Sequence, residues 1–458
     1  MFHFCLHSIK VCDLIGTIGY HRSNCSMILE WMHRMKKRHG KKACATYESG
    51  MVSFEDFPTD QGPIWILGKK YDLSQHQLEA RLDVLSRLWF TYRKGFSNIG
   101  GTGPTTDQGW GCMLRCGQMM LAQALVYKHL GRDWRWRPQE QDETYLKILQ
   151  LFLDKKDSCF SIHQIAQMGV GEGKKVGDWF GPNTVGQVIR KLSPFDSWSD
   201  LAVHVALDNT VVIEDIRKLC TVNSTTEETS SEGSKTGSER RKRTSSSENI
   251  RHKMQLSPEN TNIQLPNGLM EGACVSPGGV SWRSLFLIIP LRLGLNEINT
   301  VYMQRLKRCF TLPQSLGVIG GKPNHAHYFI GVLGDEMVYL DPHTTQPAAD
   351  IDKWAFLQDE SFHCEHASRM PIKNLDPSIG LGFYCHSEDD FNSWCRNIQY
   401  VISDGDLSPM FELTETRPKH WPPFEPNSAS IEPSFEIRDC EYPDEDFHNN
   451  SDEEFEFL

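Results

Sequence analysis

Apolar residues recur at helical spacing through the first part of this chain and gather into short continuous blocks later. From Cys112 to Leu130 the chain is rich in Met, Leu, Ala and Gln. Leu114, Leu121 and Leu125 share a face and no breaker follows Gly117, which predicts a mostly buried helix. A second helix is expected from Ser74 to near Tyr92, with Leu78, Leu82, Leu85, Leu88 and Trp89 as its apolar face. Shorter helices are expected at about Asp142–Leu153, Ser161–Met168 and Asn183–Leu192. Pro63–Gly68 reads as a short strand ending in a turn. Leu285–Pro290 is a continuous apolar run, as a central strand requires. Ser315–Gly320, His327–Leu333, Glu336–Leu340 and Gly380–Cys385 read as further strands. Ser387 and Asp390 form a capping box that opens a helix to about Ile402. Helices first and strands later, without βαβ alternation, give an α+β fold around an antiparallel or mixed sheet.

Composition interrupts this pattern in three places. From Thr221 to about Pro277 the chain is Ser/Thr-rich and then Pro/Asn/Gly-rich, a composition that buries too little apolar surface to order itself. Arg240–Arg243 within it reads as a solvated basic loop, a nuclear-import patch or a kinase-recognition site. Residues 1–52 mix Cys, His, Met and basic side chains without sustained periodicity. They read as a variable, disordered extension or as a targeting segment, the latter weakened by Asp13 and scarce serine. The end of the chain is acidic. The expected organisation is 1–52, an extension; 53–220 and 279–415, two parts of one catalytic domain; 221–278, a disordered insert; and 416–458, an acidic tail. The net charge of −11 argues against a nucleic-acid binder. The 14 cysteines include no CxxC pair and no paired Cys/His ligand spacing, so no metal is expected. No apolar run approaches the ~18 residues that span a bilayer, and scattered cysteines without a secretory signal suit a reducing, cytoplasmic setting.

The candidate chemistry begins at Cys112. Asp107, Gly109 and Gly111 punctuate the preceding loop, so Cys112 opens the first turn of the helix. Free N–H groups and the macrodipole there favour thiolate, lowering a cysteine pKa from about 8.5 to roughly 3.5–7.5. A buried packing thiol is the other reading of the same position. A nucleophile needs a base, and the base an orienting group. Asp341-Pro342-His343 follows a strand directly; residues two apart on an extended chain face the same side, and Pro342 fixes φ. Its carboxylate is thereby placed to hold the imidazole tautomer, as in a catalytic triad, or His343 is simply a satisfied histidine at a turn. Trp179 stands on a glycine-rich loop, as a core plug or as an exposed lid. The glycines near it lack a following GK[ST], which excludes a P-loop. Cys116 lies one turn after Cys112, a redox partner or a packing thiol.

GGTGPTTDQGWGCMLRCGQMM, GDWFGPNTV, SLGVIGGKPNHAHYFIG and YLDPHTTQP occur in this order, and the chain resembles the autophagin family of cysteine peptidases, its A/B branch in particular. The likeness runs from about Phe54 to Phe411, pauses at the insert and resumes at the extreme C-terminus. It implies a papain-like fold with a small additional subdomain and no cofactor. It implies hydrolysis after a C-terminal glycine of GABARAP-type ubiquitin-like modifiers, both to mature the precursor and to free the modifier from phosphatidylethanolamine, with transient contact to autophagic membranes. Carried onto this chain, Cys112 is the nucleophile, His343 the acid and base, and Asp341 its orienter. Tyr92 helps form the oxyanion hole with the Cys112 N–H. Trp179 and the loop of Gly321, Pro323 and Asn324 gate the cleft, while Phe455 and Leu458 fit an aromatic-x-x-aliphatic motif that adds as a strand to the modifier. Residues 1–50 match no family segment. Two rivals need weighing: a peptidase for ubiquitin or another modifier, and a binding protein that sequesters the modifier without catalysis. The complete Cys112, Asp341 and His343 set speaks against the second.

Overall fold

The computed structural model describes residues 57–426 apart from 139, 141, 224–279, 350–358, 366 and 403–408. The N-terminal extension, nearly all of the insert and the tail motif therefore lie outside the described residues. Residues 221–281 cluster as a unit of their own. Strands Thr221–Asn223 and Val280–Trp282 pair with each other.

The rest is built on a nine-stranded mixed sheet. In chain order its strands are β1 (Ile64–Ile66), β2 (Lys69–Tyr71), β3 (Ala202–Val205), β4 (Leu285–Arg292), β5 (Ser315–Gly320), β6 (His327–Leu333), β7 (Glu336–Leu340), β8 (Ser368–Pro371) and β9 (Ser378–Cys385). The spatial order is β8-β7-β6-β5-β9-β4-β3, with β1 on the far half of β6 and β2 beside β1. All pairs are antiparallel except β3 with β4. The helices are α1 (Gln77–Leu85), α2 (Cys112–His129), α3 (Glu143–Gln150), α4 (Ile162–Met168), α5 (Pro182–Leu192), α6 (Ile213–Cys220), α7 (Thr300–Cys309) and α8 (Glu388–Ile402).

The strand β4 shows why its sequence is apolar throughout. Phe286 and Ile288 join the core cluster that holds α2 to α5, while Leu285, Leu287, Ile289 and Leu291 join the cluster that holds α6 to α8. A strand covered on both faces has no polar face to alternate. Helix α2 packs on β5 and β6 and is buried from Cys112 to Tyr127, so its pattern is apolar all round. The helix α4 takes its N-cap from Ser161, whose hydroxyl accepts from Gln164 N, and α8 is opened by Ser387 accepting from Asp390 N at 3.2 Å.

One element departs from expectation. Helix α1 stops at Leu85, and its buried face is Ala80, Asp83, Val84 and Leu85 rather than Leu78 and Leu82. Asp83 is buried against Arg87, Arg132 and Arg135, an ion cluster that turns a polar position inward. Beyond Ser86 the chain is pulled straight: Leu88 bridges His363, and Trp89 N donates to Phe362 O at 2.8 Å. Tertiary pairing overrides helical spacing here.

Candidate active site

The loop that delivers Cys112 is folded around one buried carboxylate. Asp107 accepts from Arg93 N at 2.6 Å and from Arg115 Nε at 2.7 Å, while its carbonyl receives Gly111 N at 2.8 Å. Arg115 also donates to Asp154 at 2.8 Å, so a buried Asp–Arg–Asp set ties the loop to the first turn of α2. Breaking such a set leaves a charge buried without a partner, at about 3–5 kcal/mol. Gly109 turns the chain at φ +91°, and Gly111 is the N-cap without a capping side chain. The amide N–H groups of the first turn are thus left for whatever approaches the Cys112 sulfur.

Gly111 also lies close against Asp107: a Cβ there would stand 2.5 Å from Oδ2 and 2.6 Å from the Asp107 Cβ. Gly111→Ala is expected to displace the Cys112 turn and lower turnover about 100-fold, the usual effect of a shift near 1 Å at a reacting group. The rate of Cys112 alkylation, read by peptide mapping, should fall with it.

Three elements converge on the sulfur. From the strand-like segment at Trp89–Lys94, the Tyr92 hydroxyl reaches it; from the start of β6, so does the Ala326 N–H; from the loop after β7, so does His343. His343 Nε2 and Tyr92 Oη are both buried, and both side chains act on the Cys112 sulfur. On its other edge His343 Nδ1 is 2.6 Å from Asp341 Oδ1, which also accepts the His343 backbone N–H at 2.9 Å. The extended Asp341–His343 geometry is therefore doubly closed. Tyr92 stands edge-on to His343 with ring centres 5.4 Å apart. The two segments are laced together: Tyr92 N donates to Pro342 O at 2.9 Å, Gln346 N to Tyr92 O at 2.9 Å, and Trp89 Nε1 to Asp341 O at 2.7 Å.

Electrostatics follow from this geometry. Burial opposes a thiolate at Cys112, but hydrogen bonds from His343, Ala326 N–H and Tyr92, with the nearby imidazolium, hold the thiol below its ordinary range. Burial likewise opposes the imidazolium, yet Asp341 and the sulfur push His343 up to about 9. Against the upward pull of burial, His343 and His327 hold Asp341 down. Burial and the neighbouring sulfur push the Tyr92 hydroxyl up, so it stays a donor. These shifts favour a thiolate–imidazolium pair, with a hydroxyl and two amide groups at hand, a set suited to acyl transfer.

Other expected residues lie around this cluster. Cys116 is fully buried, and burial with the nearby Cys112 and Asp341 charges pushes its thiol well up, which favours the packing role. Trp179 is half-buried against the core cluster of α2 to α5, its indole N–H without a partner. Gly321 sits at φ +144°, where a Cβ would fall 2.2 Å from His325 O, so the turn needs glycine. Pro323 and Asn324 are exposed at the tip of that loop, which runs directly into Ala326. A cavity of about 490 Å³ opens beside it, lined among others by Gly321, Asn324, His327, Asp341 and His343. Sequence reasoning missed Trp89, Asp107, Ala326 and His327. Only Asp107 carried a signal, as the acidic residue fixing a glycine-rich turn.

The Peptidase C54 catalytic domain matches residues 77–397. The chain is 51% identical to cysteine protease ATG4B of Gallus gallus over 418 residues, 91% of this chain and 99% of that protein. It is 50% identical to cysteine protease ATG4A of Mus musculus, over 83% of this chain and 89% of that protein. With cysteine protease ATG4A of Homo sapiens the figures are 50%, 83% and 90%. The matched span contains Tyr92, helix α2 with Cys112 and the Asp341–His343 pair, and the chain belongs to the peptidase C54 family of papain-like cysteine peptidases.

Proposed function

We propose that this peptidase hydrolyses the bond after the C-terminal glycine of GABARAP-type ubiquitin-like autophagy modifiers. It acts on the precursor and on the phosphatidylethanolamine conjugate, from the cytoplasm and in transient contact with autophagic membranes. The observation that carries this reading is the convergence of Tyr92, Ala326 N–H and His343 on a sulfur whose residue is 0% exposed. A sulfur so enclosed supports a narrow cleft. Trp179 and the exposed tip at Pro323 and Asn324 must give way, and only a slender chain then enters. Glycine meets that demand because it carries no Cβ to strike the gate.

The thiolate of Cys112 attacks the glycine carbonyl carbon, and the oxyanion is held by the Tyr92 hydroxyl and the Cys112 N–H. His343 gives its Nε2 proton to the leaving amine, and the C–N bond breaks to leave a thioester. Water then attacks with His343 taking its proton, freeing the glycine carboxylate and the sulfur. Asp341 keeps the imidazole in register throughout. The leaving amine differs between precursor and lipid conjugate while the acyl half stays the same, so one site serves both. Phe455 and Leu458, with Asp452, Glu453 and Glu454 before them, hold the modifier by strand addition.

The test is a GABARAP-type modifier carrying a C-terminal tag, incubated with the full chain under reducing conditions. Mass spectrometry should place the cut directly after glycine, and a substrate with alanine there should lose about 100-fold in kcat/KM. Deleting Phe455–Leu458 should raise KM and leave single-turnover chemistry intact. A modifier that binds and is never cut would replace this reading with sequestration.

A further inference from the structure

His327 lies beside the Asp341–His343 pair and has no part in acyl transfer. It opens β6, with its ring 4.4 Å from Tyr339 and edge-on to His343 at 5.3 Å and 67°. Its Nε2 stands 3.9 Å from Asp341 Oδ1, too far for a hydrogen bond. One nitrogen from each of His327 and His343 and one Asp341 oxygen lie within 4.8 Å of one another.

Donors on a tetrahedral ion, each about 2.0–2.2 Å from it, stand roughly 3.3–3.6 Å apart. The 3.9 Å and 2.6 Å separations here straddle that spacing, so small side-chain shifts bring the three onto one centre. The cavity of about 490 Å³ reaches all three residues, while Cys112 does not line it. Its volume leaves room for a water as fourth ligand. Two imidazoles and one carboxylate suit zinc and related borderline ions rather than calcium or magnesium. Lys322 and Asp376 line the same cavity and offset each other in charge.

We propose that His327, Asp341 and His343 form an inhibitory site for a zinc-type divalent ion, entered from this cavity. Ligation at His343 Nδ1 displaces the proton shared with Asp341, which leaves to solvent. Nε2 keeps its proton facing the sulfur, and the imidazole no longer exchanges protons with a substrate. The ion is a brake on the peptidase and not its cofactor.

The test reads metal binding and is independent of any modifier. Full-length Cys112→Ala protein, which lacks the thiolate, is titrated with Co²⁺ and then with Zn²⁺. One Co²⁺ per chain with visible d–d bands and no thiolate charge-transfer band is expected, displaced by Zn²⁺. Adding His327→Gln should weaken binding about 10-fold or more. The imidazole NMR signals of His327 and His343 should shift together with Zn²⁺ in the Cys112→Ala protein, a readout that needs no substitution at 327. Loss of binding in Cys112→Ala would place the metal on the sulfur and overturn the proposal. So would a His327 signal that Zn²⁺ leaves unmoved, or a double variant that binds as tightly as the single one.

Discussion

Cys112→Ala is expected to abolish cleavage while leaving modifier affinity within about threefold. The argument rests on where the sulfur sits. Cys112 is 0% exposed at the first turn of a helix that is itself buried, so it meets the substrate only at the scissile carbonyl and adds little to the modifier interface. Without the sulfur there is no thioester, and the remaining groups have nothing to activate. His343 also loses one of the groups that raise it, because the Cys112 charge and hydrogen bond contribute to its position near 9. Losing the nucleophile of an acyl-transfer site costs about 10⁴–10⁶ in turnover. A single-turnover gel assay with excess enzyme measures the loss, and fluorescence anisotropy of a labelled modifier measures the affinity. Retention of a hundredth of wild-type turnover would mean that another cysteine carries the reaction. Cys116 is the nearest alternative, but its thiol is pushed well up and sealed from solvent.

How much of this was legible in the sequence depended on whether a signal was local. The strands β5, β6 and β7 fall where their apolar runs predict, because sheet strands covered on both faces need little context beyond their own composition. The start of α2 at Cys112 and the closed Asp341–His343 pair follow from a glycine turn and an extended Asp-Pro-His, both local events. The end of α1 was misjudged since Leu88 and Trp89 are claimed by residues 362 and 363, far along the chain. Helices α6 and α7 and strand β3 went unread, although Asn299 is a plain N-cap whose side chain accepts from Val301 N. The roles of Ala326 and His327 had no local signature. Any residue but proline offers a backbone N–H, and a histidine becomes a neighbour of Asp341 only when β6 and β7 pair.

The second large effect is expected from Asp341→Asn, and it should appear in the pH profile as much as in the rate. In the intact site Cys112 is held below its ordinary range and His343 is pushed up to about 9. A lowered thiol beside a raised imidazole favours the thiolate–imidazolium pair on the acid side of about 9. The profile of kcat/KM should fall on the acid side as the thiolate takes a proton and on the alkaline side near pH 9 as His343 loses one. The substituted amide would keep a hydrogen-bonding oxygen but lose the charge, so only the Cys112 sulfur would still oppose burial, and the proton affinity of the imidazole would fall. The alkaline limb should then move to lower pH, narrowing the active window from that side. The thiol of Cys112 should rise in the same variant, because a less stable imidazolium gives less support to the thiolate, and the acid limb should move up. At pH 7.5 the two movements, with the lost orientation of the ring, are expected to cost about 10³–10⁴ in kcat/KM, the scale set by removing the aspartate charge from a Ser-His-Asp triad. Pre-steady-state cleavage across pH 5–10, with Cys112 alkylation rates measured in parallel, separates ionisation from orientation. An unmoved alkaline limb near 9 would show that Asp341 positions His343 without setting its proton affinity, and the loss in rate would then belong to ring orientation alone.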